Sequence, residues 1–293
     1  MRPILRPGSH VLRRDHRTLQ VGLDPRHAVV LPDEPEVRRC LELLSRSAEV
    51  GEHDAPETLD VLAAGDHVID SGSLMPLIPA REQDQEVARA GVAALARSAG
   101  DEAAALLKAR TACRTGIVPF GNGLGGELTD DLRRLLREAG VRVTATGHHD
   151  VTALVGVGEP NRELVDGWMR SGTPHLVVRL TEGRATVGPF VVPGQTACLR
   201  CLDAHHTDAD PCWPLLVAQY ASLTSRERPD GVPEPVDGLV ATVALAWAAR
   251  DLTSYAEGRR PSTWSTTIRF DPHLTAIETR AWLRHPACGC GWG

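Results

Sequence analysis

The first 32 residues alternate between apolar and polar positions over short distances. SHVLRRD (9–15), TLQVGL (18–23) and HAVVLP (27–32) are separated by the turn-prone HR and DPR. This pattern predicts three short strands joined as a meander. The period then lengthens. In DEPEVRRCLELLS, Val37, Cys40, Leu41, Leu43 and Leu44 recur at helical spacing behind an acidic, proline-marked start, which predicts a helix. PETLDVLAAGD (56–66) predicts a second helix, leading into a last short β segment, HVIDSG.

MPLIPAREQDQ (75–85) is proline-bearing and polar, a linker in composition. QEVARAGVAALARSAGDEAAALLKAR follows, Ala-rich and strongly helix-prone. TGIVPFGNGLGGELTDDLRRLLREAGVRVTATG then predicts a strand, a glycine loop, an amphipathic helix and a second strand. VTALVGVG, NRELVDGWMRSG and HLVVRL continue the alternation, as expected of a mainly parallel sheet. DGLVATVALAWAARDLTSYAEG predicts a buried helix, and TWSTTIRFD with LTAIETRAWLRH a closing antiparallel pair. The expected fold class is α/β. An α+β unit over 1–78, with the strand and helix order of a winged helix, precedes a Rossmann-like α/β domain over 79–293.

Composition narrows the function classes. A chain of 293 residues is long for one core, consistent with two domains. The net charge of −6 provides no general attraction to nucleic acid or anionic membrane. No apolar run has the length of a membrane span. The opening MRPILRPGSHVLRRDHR lacks the apolar stretch of a signal peptide, so a cytoplasmic protein is expected. Lys108 is the only lysine.

Gly121, Gly123 and Gly126 form G-x-G-x-x-G between a predicted strand and helix, the setting the motif requires. Such glycines allow a tight turn, close backbone approach and close helix packing, and the helix N-terminus favours phosphate. An NAD site also places an acid near the end of the second strand. Here that strand ends VTATG and the nearest acid is Asp150, so NAD is disfavoured. A turn that no longer holds nucleotide is an equal reading. With no lysine after the loop, backbone amides and arginines would have to hold any phosphate.

Cys198 and Cys201 have the gap that lets two thiolates face one metal, and Cys288 and Cys290 can complete a tetrahedral four-thiolate zinc site. Such a site would pin the C-terminal segment as a structural closure. A redox pair is the competing reading, but it lacks a thioredoxin-like context. Cys40 and Cys113 fit core positions and Cys212 a small apolar filler. The histidines of TGHHD and of DAHHTDAD, where His205, His206, Asp208 and Asp210 lie close together, invite a metal or acid–base reading, but such polar clusters read more readily as loops or helix caps.

VGPFVVPGQTACLRCLDAHHTDADPCWP with the terminal HPACGC resembles the E1/ThiF-like (Ocin-ThiF-like) proteins of azole-forming peptide biosynthesis. These are also described as cyclodehydratase C proteins or TOMM leader-peptide-binding proteins. LRPGSHVLRRDHRTLQVGLDPRHAVVLP is similar to the opening of their PqqD-like recognition element, so the resemblance spans the chain. It implies that a precursor's leader peptide adds as a strand to the third meander strand and lies against a neighbouring helix, a mode in which backbone bonds supply affinity. The residues so implicated are His27, Ala28, Val29, Val30, Leu31, Leu59 and Leu62; for about half of them a plain core role is the competing reading. The resemblance also implies the four-thiolate zinc and a separate YcaO-type cyclodehydratase that forms the azolines.

This chain departs from the adenylating members of that fold. The acid after the second strand is displaced, the later lysine is missing, and Asn161-Arg162 falls too late. A protein without its own catalytic residues is therefore expected: a scaffold that presents the precursor in bacteriocin- or thiopeptide-like biosynthesis, with ATP not expected to bind and a homodimer possible by analogy. The alternative is an E1-like ATP-dependent adenylyltransferase acting on a peptide carboxylate.

Overall fold

A computed structural model describes residues 2–46, 56–78, 86–121, 123–224, 226 and 230–290. Residues 79–85 of the expected linker therefore lie outside it. The chain divides into two compact units, Met1–Lys108 and Ala109–Gly293, both built of strands and helices.

In the first unit, β1 (Pro3–Leu5) precedes the expected meander of β2 (Val11–Arg13), β3 (Thr18–Val21) and β4 (Val29–Pro32). The meander is antiparallel, with Val11 opposite Val21 and Val21 opposite Val29. Then come α1 (Pro35–Ser45), α2 (Pro56–Ala64), β5 (Val68–Asp70) and α3 (Ser71–Leu74). The α1 stripe is buried as its spacing requires, with Val37, Cys40, Leu41 and Leu44 joining Leu19, Val21, Leu31 and Leu62 in one core. β1 pairs with β5 and has no counterpart in the sequence reading, because RPILRP offers only three residues between prolines.

The helix-prone Ala-rich stretch forms two helices, α4 (Glu86–Ala99) and α5 (Ala103–Ala112). Gly100, at φ +57°, breaks it, a conformation that glycine adopts without steric penalty. Val92, Leu95, Ala96, Ala103 and Leu106 pack on Ile4 and Ile69, so the first compact unit extends well past residue 78.

The second unit continues with β6 (Arg114–Phe120), α6 (Leu124–Glu138), β7 (Arg142–Val143), β8 (Val151–Val157), α7 (Glu163–Ser171), β9 (His175–Thr181) and β10 (Arg184–Val191). It closes with α8 (Leu199–Ala209), α9 (Trp213–Thr224), α10 (Gly238–Ala256), β11 (Thr266–Phe270) and β12 (Ile277–Ala281). The seven-stranded sheet has the order β12-β11-β10-β9-β8-β6-β7. β7, β6, β8 and β9 are parallel, and β10, β11 and β12 are added antiparallel. The expected alternation supplies the parallel strands, β11 and β12 form the expected closing antiparallel pair, and VGPFV lies in a further antiparallel strand, β10, that the sequence pattern did not mark.

β8 is buried at every position, as a strand covered on both faces must be. α6 and α10 cover one face through Leu128, Leu132, Leu136, Ala244, Leu245 and Leu252. α7 lies on the other, where Val165 meets Phe120 and Leu154. Among the described residues no helix is long and apolar enough to cross a membrane.

Candidate functional site

In the first unit, β4 pairs with β3 on one side and, among the described residues, has no strand on the other. Asp24 starts the turn into it, accepting hydrogen bonds from Arg26 that hold its carboxyl down at about 2. His67, buried, ties the strand's start: Ser9 bonds its Nδ1 and its Nε2 bonds the His27 carbonyl at 2.6 Å. The side chains of the candidate edge do not all face one way. Leu31 and Leu62 are core residues, so the expectation that they touch a peptide is withdrawn. Val29 and Leu59 are half-buried against the same core, while His27 and Val30 are exposed. Val30 is 45% exposed and Val61, on α2, equally so. Val61 was missed, because its helical phase does not mark it as outward.

In the second unit the glycines divide their roles unevenly. Gly121 has φ +83°, and a Cβ there would run into the Val157 carbonyl. Gly125, not Gly126, allows α6 to approach β6: its added Cβ would sit 2.7 Å from the Phe120 carbonyl, whereas Gly123 and Gly126 face open space. The packing role expected of Gly126 therefore belongs to Gly125. Asp150 lies at the opposite end of the sheet, gripped by Arg114 at the start of β6. That pairing lowers its carboxyl to about 2, and it cannot serve a ribose beside the loop.

Past the C-terminal ends of β6 and β8 lies a cleft of about 1480 Å³, touched by Gly121, Pro160, Asn161, Arg162, Met169 and Cys198. Ligands of open α/β sheets sit at this end. A buried charge network forms one wall. Arg162 donates to both oxygens of Asp203 at 2.7 and 2.8 Å and to Glu159 at 2.8 Å. Arg179 donates to Glu159 at 2.8 Å and the Trp213 indole to Asp203 at 3.0 Å. Burial works against the Glu159 carboxylate, but Arg179 and Arg162 outweigh it and keep its pKa below the ordinary range. Asp203 is held down against burial in the same way, by Arg162. Arg200 is likewise committed, to Asp166 at 2.8 and 2.6 Å. The sequence reading passed over Glu159, Arg179 and Asp203. The available signal was Arg179, a lone charge in the apolar strand HLVVRLT, since charges inside such runs are buried only when paired.

The four cysteines converge. The loop after β10 is tied by Ala197 N–H to the Ser265 hydroxyl. It ends at Cys198, the N-cap of α8, and the first turn of the helix brings Cys201 onto the same face. The tail after β12 is fastened by the Trp282 indole to Thr267, by His205 to the Leu283 carbonyl at 2.9 Å, and by His285 to Asp208 at 2.9 Å. A turn then carries Cys288 and Cys290 to the helix. Sγ–Sγ separations are 3.8 Å for Cys198–Cys201, 3.6 Å for Cys198–Cys288 and 3.3 Å for Cys201–Cys290. Tetrahedral thiolates around zinc, at about 2.3 Å each, stand roughly 3.8 Å apart, so the four residues fit a metal ion. A hydrogen bond from Cys198 pulls the Cys201 thiol down to about 4 and pushes Cys198 up; burial lifts Cys290 to about 12.

Two neighbouring expectations change. DAHHTDAD is helical within α8, and His205, Asp208 and His285 form a second compact group. Its ring nitrogens already serve the tail, with His285 Nδ1 accepting from Ala287 N–H. Cys212 is exposed rather than a filler, because it lies in the turn before α9, where its N–H donates to Asp210.

No family profile and no curated protein matches the chain. Solved structures do match. The heterocyclase TruD aligns with a TM-score of 0.69 at 17% identity over 99% of this chain and 42% of its own. A heterocyclase in complex with substrate and cofactor aligns at 0.67 and 17%, over 98% and 39%. The chain thus spans about two fifths of the length of these heterocyclases. MccB of E. coli, the microcin C7 biosynthetic enzyme, solved with AMPCPP and MccA, aligns at 0.62 and 13% over 99% of this chain and 100% of its own. At these identities the likeness establishes a shared fold.

Proposed function

We propose that the protein captures the leader of a ribosomally made precursor peptide and presents the peptide to a separate modifying enzyme, with no catalytic step of its own. The observation that carries this reading is the open edge of β4, where unpaired backbone and the exposed Val30 and Val61 offer a strand-addition site. In this reading residues 1–78 act as a PqqD-like winged-helix element. The second unit, from Ala109, is an E1/ThiF-type, Rossmann-like domain, and the partner is a YcaO-type cyclodehydratase in the cytoplasm. The four cysteines hold a structural zinc, which supplies a tetrahedral cross-link between α8 and the tail. Neighbours of the same fold were solved with a substrate and with the peptide MccA, in keeping with a peptide ligand here. The test is calorimetric titration of the full chain with the leader encoded beside it. Micromolar or tighter binding, lost on Val30→Pro and unchanged by ATP·Mg, is expected; no binding would overturn the reading.

A second reading, an E1-like adenylyltransferase acting on a peptide carboxylate, draws on the cleft at the strand ends and on the neighbour solved with AMPCPP. Against it, Arg162 and Arg200 are already committed to carboxylates and no lysine follows the glycine loop. Groups that must stabilise transferring phosphates cannot be so occupied. Peptide-dependent pyrophosphate exchange decides between the two.

A further inference from the structure

Glu159 and Asp203 line the cleft already described and also a second cavity, of about 240 Å³. Its floor is formed by β9, β10, β11 and β12. Arg179 stands opposite Thr186, Thr186 opposite Arg269 and Arg269 opposite Glu278, while Thr267 stands opposite Arg280. Directly opposed residues present their side chains to the same face, so polar groups from four strands meet there. α8 and the indoles of Trp213 and Trp282 wall the space.

Donors outnumber acceptors in this cavity. The Glu159 carboxylate is filled by Arg162 and Arg179, and the Asp203 carboxylate by Arg162 and the Trp213 indole. Arg179 spends only Nη1 on Glu159, and its Nε is buried without a partner. Among the described residues the Thr186 hydroxyl has no partner. The Thr267 hydroxyl accepts from the Trp282 indole at 2.9 Å, which leaves its own proton to donate. The Arg280 guanidinium stacks 3.8 Å above the Trp282 ring and, among the described residues, pairs with no carboxylate.

Charge points the same way. Three arginines and three carboxylates line the cavity, but Arg162, from the cleft side, already bonds two of those carboxylates. The wall is left with a surplus positive charge. Buried donors without acceptors are costly, and a ligand bearing several oxygens would meet them. Arginine forks fit carboxylate and phosphate oxygens alike. The volume lies below that of pockets for larger organic ligands.

We propose that this cavity binds a small oxyanion, a phosphate or a carboxylate group. Arg280 holds it at the exposed side, and Arg179 with the Thr186 and Thr267 hydroxyls holds it within. All of these residues belong to the second unit, and the inference stands independently of leader binding.

Calorimetric titration of the full chain with inorganic phosphate, at an ionic strength held constant with sodium chloride, tests it. One phosphate per chain is expected, with a Kd of about 1 mM or tighter. Arg280→Gln should weaken binding about ten-fold or more. Thr186→Val keeps the shape, removes the hydroxyl and should weaken it about three-fold or more. Arg137→Gln, an exposed arginine on α6 at the opposite face of the sheet, should bind as the wild type does. Acetate is the carboxylate arm of the experiment. Tighter phosphate marks a phosphate-bearing ligand and tighter acetate a carboxylate, and either result supports the site. Saturable binding of neither anion, or an equal loss in Arg137→Gln and Arg280→Gln, would overturn the inference. Thermal melts of the same proteins guard against a misfolded variant. Phosphate should raise the melting temperature of the wild type and Arg137→Gln but not of Arg280→Gln; equal shifts in all three would count against the site just as firmly.

Discussion

Arg162 holds Asp203 through two parallel hydrogen bonds, 2.7 and 2.8 Å long, across the end of the cleft. One residue caps the helix after β8 and the other sits in the first turns of α8, so the bond ties two helices on one face of the sheet. Both side chains are largely buried. Removing one member leaves the other charged and desolvated, which costs about 3–5 kcal/mol. Arg162→Ala should therefore lower stability in urea by that order. The paired change Arg162→Met with Asp203→Leu should cost much less, because neither charge is then stranded. Equal losses in both would mean the network matters for shape rather than charge.

His175 sets an acid limit. It is fully buried on β9, donates from Nδ1 to the Thr173 carbonyl, and its Nε2 has no partner. Burial lowers its pKa from 6.5 to about 4. The folded state keeps this ring neutral while the unfolded chain protonates near 6.5, so the unfolded state binds more protons between those values. Stability should accordingly be complete above pH 6.5 and fall by about 3 kcal/mol on acidification to pH 4. Denaturant titrations of wild type and His175→Phe over this range check it: the variant should lack that part of the slope.

The glycine loop separates into two behaviours. Gly121→Ala drives a methyl group into the Val157 carbonyl at a positive φ and should destabilise by more than 1 kcal/mol. Gly126→Ala sits inside α6 in open space and should stabilise by about 0.5–1 kcal/mol. Thermal melts of the two variants read opposite signs.

Metal removal should act on stability and leave leader affinity unchanged. The expected stoichiometry is one zinc per chain by elemental analysis. Cys198→Ala should lose it and melt about 5–10 °C lower, the shift that roughly 3 kcal/mol produces in a unit of this size. A redox pair would show instead a chain that keeps its melting temperature.

The strand and helix periods were legible wherever burial is one-sided or complete: the meander, the α1 stripe, the apolar β8 and the long α10 all follow their patterns. The cysteine spacing was legible too, because two short gaps each constrain a local turn. What escaped depends on long-range pairing. β1 exists because β5 lies beside it, and no local pattern in three residues announces that. The Glu159–Arg179–Arg162–Asp203 network joins residues up to 44 positions apart in the sequence, of which Arg179 alone stands out from its local pattern. The outward position of Val61 depends on which face α2 buries, a property of the neighbouring sheet rather than of the helix.

The four sulfurs link positions 198 and 288, ninety residues apart. In polymer terms a metal held there ties off a ring that contains α8, α9, α10, β11 and β12. Its main thermodynamic action then falls on the unfolded chain, whose freedom a ring of this length restricts. β6, β7, β8 and β9 lie outside the ring and gain nothing directly from it. Loss of the ion would therefore loosen the antiparallel half of the sheet first, beginning at the edge strand next to the tail.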